Sequence, residues 1–224
     1  MSERRLLACF AHPDDEAFPV GGALALHAHQ GVKIRLVTTT LGEEGEIRQP
    51  GLATQETLGL TRKLELAASA ETLGIHEHSV LGYRDSGMAG TPPNNHPDAY
   101  INVPDELIVE QLVKHIREFK PQVLLTFEKG GLYGHPDHIA ISGRLLRPLS
   151  SPAIHLSFPN NWLRAYRHIN QKDFFTVPDR GVLEWNGPLN YKRLGLKSNC
   201  LHRSVLRKEP QPMKFIWKWT SANN

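Results

Sequence analysis

Three stretches of the chain read as near-continuous apolar runs of strand length: Arg5 to Ala11 (RLLACFA), Val32 to Thr39 (VKIRLVTT) and Gln122 to Phe127 (QVLLTF). Runs of this kind, rather than strict alternation, belong to strands covered on both faces. Between them the period lengthens. Gly21 to Gln30 and Thr61 to Leu73 carry apolar residues at helical spacing, with Gly31 and Gly74 placed to stop them, and Asp105 to Phe119 ends just before Pro121. Buried strands alternating with helices of ten or more residues predict right-handed βαβ units and an α/β fold around a mainly parallel sheet. Such a sheet binds ligands beyond the C-terminal ends of its strands, above all where the strand order reverses.

Two parts of the chain fit this alternation poorly. Residues 86–103 (SGMAGTPPNNHPDAYINV) are rich in Gly, Pro and Asn and long for a connection in a compact domain, which predicts a lid or rim loop. From Ser150 onward, Pro152, Pro159, Pro178, Pro188, Pro210 and Pro212 interrupt the periodicity. That stretch reads as pocket rim or subunit contact within a single domain covering 1–224.

Chemistry enters at the ends of the predicted strands. Immediately after the first lies AHPDDE, residues 11–16, one imidazole and three carboxylates; immediately after the third lies GGLYGHPDH, residues 130–138, opening a helix (IAISGRLL) with Pro136 at its first position. Adjacent carboxylates raise one another's pKa unless a cation or strong donors compensate, so a bound metal is the economical reading. Two histidines and a carboxylate with a coordination position left open form a catalytic zinc set, and His12, Asp15 and His138 fit it. Iron or cobalt can occupy the same donors. Asp14, beside a ligand, can take a proton from water; His135 can stabilise an oxyanion or protonate a leaving amine.

AHPDDE, GHPDH and the intervening LGYRDSGM (residues 81–88) resemble the LmbE-like deacetylases, the family of N-acetylglucosaminyl-phosphatidylinositol de-N-acetylase and of the deacetylases and amidases of mycothiol and bacillithiol metabolism. The resemblance spans roughly residues 5–145. It implies a Rossmann-like fold, zinc on His12, Asp15 and His138, Asp14 as general base, His135 as acid or transition-state stabiliser, and Asp137 orienting its neighbouring imidazole. It also places Arg62 toward the substrate, where a guanidinium suits a sugar, carboxylate or phosphate. The late part departs from the pattern: after His202, Arg203 and Ser204 comes Val205 where relatives carry Gln.

Other polar residues have quieter readings. His96-Pro97-Asp98 repeats three letters of the first motif but falls in the long loop and is assigned to turn structure. Glu16 is expected to cap or charge the start of the following helix rather than bind metal. Glu43, Glu44 and Glu46 follow the second strand and either contact sugar hydroxyls or sit in a solvated loop; Arg84 and Asp85 either pair with each other or line the pocket.

The expected activity is hydrolysis of an N-acyl, chiefly N-acetyl, amide on an amino sugar or its conjugate, with cleavage of larger thiol conjugates as the alternative. A nucleotide- or nucleic-acid-binding module with an incidental metal is the competing class. It fares poorly, because the first turn lacks G-x-G-x-x-G and sets acids where a pyrophosphate would sit. Residues 192–218 hold eight Lys or Arg against one Glu, so the net charge of +3 resides there. With Trp217 and Trp219 nearby, that run reads as a solvated face or a homo-oligomer contact rather than a nucleic-acid surface. Only Cys9 and Cys200 are present, too few for a disulfide framework. Apolar runs are too short to span a bilayer, and the first ten residues offer no small-residue cleavage site, so the expected compartment is the cytoplasm.

Overall fold

The computed structural model describes residues 3–150 except residue 19, with side chains to residue 146, and beyond them the strand segments 174–177, 184–185 and 213–214. The elements run β1 (Arg5–Phe10), α1 (Gly21–His29), β2 (Lys33–Thr40), α2 (Leu58–Thr72), β3 (Glu77–Tyr83), α3 (Asp105–Phe119), β4 (Val123–Phe127), a single turn α4 (Gly131–Gly134), α5 (Pro136–Ser150), then β5 (Phe174–Val177), β6 (Glu184–Trp185) and β7 (Met213–Lys214). They form one sheet in the order β3-β2-β1-β4-β5-β6-β7. The first five of these strands pair in parallel, and β6 and β7 add antiparallel at the end. This is the expected α/β architecture, a mainly parallel sheet flanked by helices. From β1 the chain winds outward through β2 to β3, then returns to lay β4 on the other side of β1, so the order reverses between β1 and β4.

The three apolar runs are the central strands. Leu7, Phe10, Ile34, Leu36, Leu124 and Phe127 are fully buried, and Phe10 and Phe127 meet edge to face across the β1/β4 junction, with ring centroids 5.1 Å apart. An aromatic pair of that geometry is worth about 1 kcal/mol beyond its buried area. Helix α3 buries Ile108, Leu112 and Ile116, spaced by four as an amphipathic stripe requires, and begins with Asp105 and Glu106 where the helix dipole favours acids. Gly31 and Gly74 take positive φ just past α1 and α2, the left-handed stops their positions predicted. Cys9 is fully buried, and that burial pushes its thiol up, leaving it unreactive.

Strand β3 has no counterpart in the hydrophobic pattern, and α2 begins three residues earlier than its spacing suggests. The 86–103 segment, expected as a lid or rim loop, is tied into the fold. Ala99 and Tyr100 are buried, two 3-10 turns (Pro92–Asn95 and Tyr100–Asn102) shape it, and Asn94 and Asn102 bond back to its own carbonyls. Arg144 of α5, 5% exposed, fastens it by donating to the carbonyls of Tyr100 (2.7 Å), Ile101 (3.3 Å) and Val103 (2.8 Å), to Asp105 (2.8 Å), and by lying over the Tyr100 ring. A buried guanidinium with that many acceptors fixes a segment. Among the described residues no helix is long and apolar enough to cross a membrane. His202, Cys200 and the side chains of the basic 192–218 run lie outside the described residues.

Candidate metal centre

The turn after β1 and the turn after β4 face each other at the point where the strand order reverses. His12, Asp15, His135, Asp137 and His138 are all buried there. His12 Nδ1 lies 3.1 Å from His138 Nε2 and 3.6 Å from Asp15 Oδ2, and His138 Nε2 lies 3.4 Å from Asp15 Oδ1. The other nitrogen of each ring is engaged elsewhere. His12 Nε2 lies 3.3 Å from Asp137 Oδ2 and 3.5 Å from Asp85 Oδ1, and His138 Nδ1 lies 3.2 Å from the Gly131 carbonyl. An imidazole that gives one nitrogen to a carboxylate or carbonyl presents the other as a ligand, the usual arrangement behind a metal-binding histidine. This is a buried His/Asp cluster able to hold a divalent metal. Two further donor groups lie within reach of a shared point, His12 with His135 and His138, and His12 with Asp85 and Asp137.

Local backbone geometry makes this packing feasible. Gly131 has φ 67°, and a Cβ there would come within 2.9 Å of His138 Cβ and 2.8 Å of the Ile139 nitrogen, so only glycine brings its carbonyl up to the ring. Phe127 stacks on the other side of His138, centroids 3.9 Å apart and 6° from parallel. Asp15 accepts the backbone N–H groups of His12 (2.8 Å) and Ala11 (3.2 Å), which closes the first turn.

Electrostatics follow from burial and neighbours. Burial disfavours the His12 imidazolium, but Asp137, Asp85 and Asp15 outweigh it and push His12 up to about 10. Burial pushes Asp15 up to about 7 against the pull of His12. For Asp85 burial acts upward, yet contact with His12 holds it well below the usual carboxylate range. Burial, then the positive charge of His12, lowers His135 to about 4, and the same causes hold His138 far below an ordinary imidazole.

Asp14 stands apart from its neighbours. Its carboxylate is 72% exposed, its φ is 100°, and it accepts from Arg62 Nη2 at 2.9 Å. Arg62 also donates to the carbonyls of Pro13 (2.5 Å) and Gly42 (2.7 Å), so the guanidinium expected to face substrate is engaged with the turn that carries Asp14. Gly42 leaves room for it: at φ 66°, a Cβ would sit 1.8 Å from Arg62 Nη1. Glu43 accepts the Asp85 N–H at 2.9 Å, and Arg84 pairs with Glu44 at 2.7 Å. The Arg84–Asp85 pair considered from the sequence does not form, because consecutive residues leaving β3 diverge and Asp85 turns inward to His12. Glu46 pairs with Arg48 at the surface, and His96 accepts the Asp98 N–H in a turn, as its position predicted.

Two participants went unread in the sequence, and a third, Glu16, was read for another role. Tyr133 sets its ring edge-on to His138, centroids 5.0 Å apart, and burial together with Asp15 and Asp14 pushes its phenol up to about 12. The signal was its place inside GGLYGHPDH. Ser86 gives its N–H to Asp137 at 3.0 Å. Glu16 charges no helix start: α1 begins only at Gly21, and the Glu16 carboxylate instead accepts the Asp14 N–H at 3.0 Å.

The family model described as PIG-L, GlcNAc-PI de-N-acetylase, matches residues 7–147, well over half of the chain. The chain belongs to this family. The 1D-myo-inositol 2-acetamido-2-deoxy-alpha-D-glucopyranoside deacetylase of Thermobispora bispora is 45% identical over 165 residues, covering 68% of this chain and 55% of that protein. The enzyme of the same name from Acidothermus cellulolyticus is 50% identical over 145 residues, covering 61% and 50%. The chain thus spans about half the length of the curated PIG-L relatives it matches. Among solved structures, the N,N'-diacetylchitobiose deacetylase of Pyrococcus horikoshii superposes with a TM-score of 0.56 at 21% identity, over 77% of this chain and 60% of that one. The A40926 pseudoaglycone deacetylase Dbv21 superposes with a TM-score of 0.51 at 25% identity, over 65% and 59%.

Proposed function

We propose that the chain is a zinc-dependent N-deacetylase that hydrolyses the acetamido group of an amino-sugar conjugate, with His12, Asp15 and His138 as metal ligands and Asp14 as general base. The observation that carries this reading is the convergence of His12 Nδ1, His138 Nε2 and the Asp15 carboxylate: the two nitrogens lie 3.1 Å apart, and each faces its own carboxylate oxygen, His12 at 3.6 Å from Oδ2 and His138 at 3.4 Å from Oδ1. Two imidazole nitrogens and a carboxylate gathered at one point are the kind of donor set that would hold zinc. Three such ligands would leave a fourth position for substrate or water. A zinc ion held there would polarise an amide carbonyl and acidify water to a pKa of about 7.

The chain's own groups divide the remaining work. Asp14 Oδ is the exposed carboxylate beside the cluster and takes the proton from the attacking water. His135 accepts the Asp137 N–H on Nδ1 at 3.2 Å, which puts its proton on Nε2. Held to about 4, it stays neutral and donates a hydrogen bond to the developing oxyanion rather than serving as a strong acid. As the C–N bond breaks, the proton collected by Asp14 passes to the departing amine, leaving acetate and a free amino sugar. Asp137 and Asp85 orient His12, and Ser86 in turn orients Asp137.

The named relatives act on a sugar joined to inositol, which favours a larger conjugate over a free N-acetyl sugar. Arg84 with Glu44, and Arg62 beside the base, are groups that can meet such a substrate; Asp85 and Glu43 are bound to each other and shape the wall. Acetate release is the test, measured on inositol-linked N-acetylglucosamine and on free N-acetylglucosamine with the zinc-loaded protein. Turnover of the conjugate well above that of the free sugar supports the reading; a zinc-loaded protein that releases acetate from neither refutes the substrate.

Zinc binding should also be coupled to protons. The carboxylates that favour protonated His12 below about 10 would favour the dication in its place, and the ring must be neutral to bind. At pH 7 zinc therefore displaces about one proton from His12 and a further fraction from Asp15, and apparent affinity rises by more than about tenfold per pH unit. Calorimetry in buffers of differing ionisation enthalpy reads the proton count directly. Zinc binding with no proton release would mean that His12 is already neutral.

A further inference from the structure

Glu16 stands in the AHPDDE turn but takes no part in the chemistry above. Its side chain belongs to a residue only 1% exposed, next to two other acidic residues, where a further carboxylate is electrostatically unfavourable unless donors meet it. Two donors do. Asp14 N–H reaches Oε2 at 3.0 Å, and Ser69 of α2 gives its hydroxyl to Oε1 at 2.5 Å. Asp14 sits at φ 100°, a costly backbone conformation for a residue with a side chain, which persists only where its surroundings impose it. Its carbonyl is held as well, by the N–H groups of Ala17 and Phe18 at 2.9 Å each. Arg62, which holds the Asp14 carboxylate, lies two helical turns before Ser69 on the same face of α2.

We propose that Glu16 and Ser69 are a positioning pair that clamps the strained Asp14 backbone from α2 and so aims its carboxylate at the reacting water; the proposal rests on Asp14 being the base. Helix α2 then supplies two supports to one residue, Arg62 to the side chain and Ser69, through Glu16, to the main chain. Neither Glu16 nor Ser69 touches substrate. Their contribution is geometric, and a displacement of about 1 Å at a reacting group costs on the order of a hundredfold in rate.

Four single variants, Asp14→Asn, Glu16→Ala, Glu16→Gln and Ser69→Ala, and the double variant Asp14→Asn/Glu16→Ala test this in the zinc-loaded protein. The readouts are acetate release from inositol-linked N-acetylglucosamine, zinc per chain, and the crystal structure of Glu16→Ala. Glu16→Ala should lower kcat by about 10- to 100-fold with KM and zinc content unchanged, Ser69→Ala by less. Glu16→Gln should stay within about threefold of wild type, because its amide oxygen still accepts the Asp14 N–H while the Ser69 hydroxyl turns to accept from the amide nitrogen. In the Asp14→Asn background, Glu16→Ala should cost nothing more, since only one function is being lost. The crystal structure of Glu16→Ala should show residue 14 out of its positive-φ conformation.

Wild-type kcat in Glu16→Ala, an additive loss in the double variant, or Glu16→Gln as damaging as Glu16→Ala would overturn the pair, the last by pointing to charge rather than geometry. Wild-type kcat in Asp14→Asn would instead remove the base assignment. The Glu16→Ala structure then decides alone whether the pair holds residue 14: an unmoved Asp14 ends the proposal.

Discussion

His138→Ala loses bound metal and, with it, all measurable acetate release. Loss of an outer partner of a ligand typically costs 10- to 100-fold in metal affinity, and His138 offers its own nitrogen to the cluster, so more than about a hundredfold is expected. The substitution also removes the ring stacked on Phe127 and leaves the Gly131 carbonyl without its partner, a stability loss of about 2–4 kcal/mol. Thermal unfolding should therefore be followed beside metal content, so that a folded, metal-poor protein is told from an unfolded one. Companion variants separate the donor sets. Asp15→Asn loses metal only if His12, Asp15 and His138 are the ligands, and His135→Ala only if the three histidines are. Full metal retention in His138→Ala would leave His12 with Asp85 and Asp137 as the remaining set within reach.

The sheet's centre was legible because burial on both faces leaves one kind of sequence. β1, β2 and β4 are each flanked by other strands, so RLLACF, the Ile, Leu and Val positions of KIRLVTTT and VLLTF show the apolar or β-branched residues a doubly covered strand takes, with Thr38, Thr39 and Thr40 as buried polar exceptions at the end of β2. β3 was invisible for the complementary reason. It pairs with β2 alone, its residues are half-buried or exposed, and EHSVLGY follows neither a continuous run nor a clean alternation. Beyond Ser150, β5 is four residues long and β6 and β7 two each, too short for any period to register. The 86–103 segment was legible only in part. Composition announced turns, correctly, but what holds it is Arg144, some forty residues downstream, and a tertiary anchor leaves no mark on the local sequence.

Within the centre, residue type revealed more than spacing did. His12, Asp15, His135 and His138 stood out because buried-strand termini rarely collect imidazoles and carboxylates, and the topology then brought both turns to one point. Partners made through the main chain stayed hidden. Ser86 acts through its N–H, which every residue but proline has, and Gly131 through its carbonyl, so neither announces itself. Arg62 was read as facing the pocket, and the structure joins it to Asp14, a partner 48 residues away that only the β1-α1-β2-α2 winding brings near.

Asp14→Asn should retain zinc and lose about two to four orders of magnitude in kcat, the range a positioned general base contributes. Asparagine is the informative replacement. It is isosteric, tolerates positive φ better than most residues, and its oxygen still accepts from Arg62, so the turn keeps its shape while the proton acceptor is lost. Zinc content equal to wild type with KM little changed would locate the loss in the chemical step. An equal fall in zinc content would make Asp14 part of the metal's environment instead. Asp14→Gly sharpens the case further. Glycine at φ 100° carries no Cβ penalty, so this variant should be at least as stable as wild type, by up to about 1 kcal/mol, while equally inactive. A side chain kept in costly backbone geometry, exposed beside buried neighbours and removable with a gain in stability, has the energetics expected of a group that serves the reaction rather than the fold.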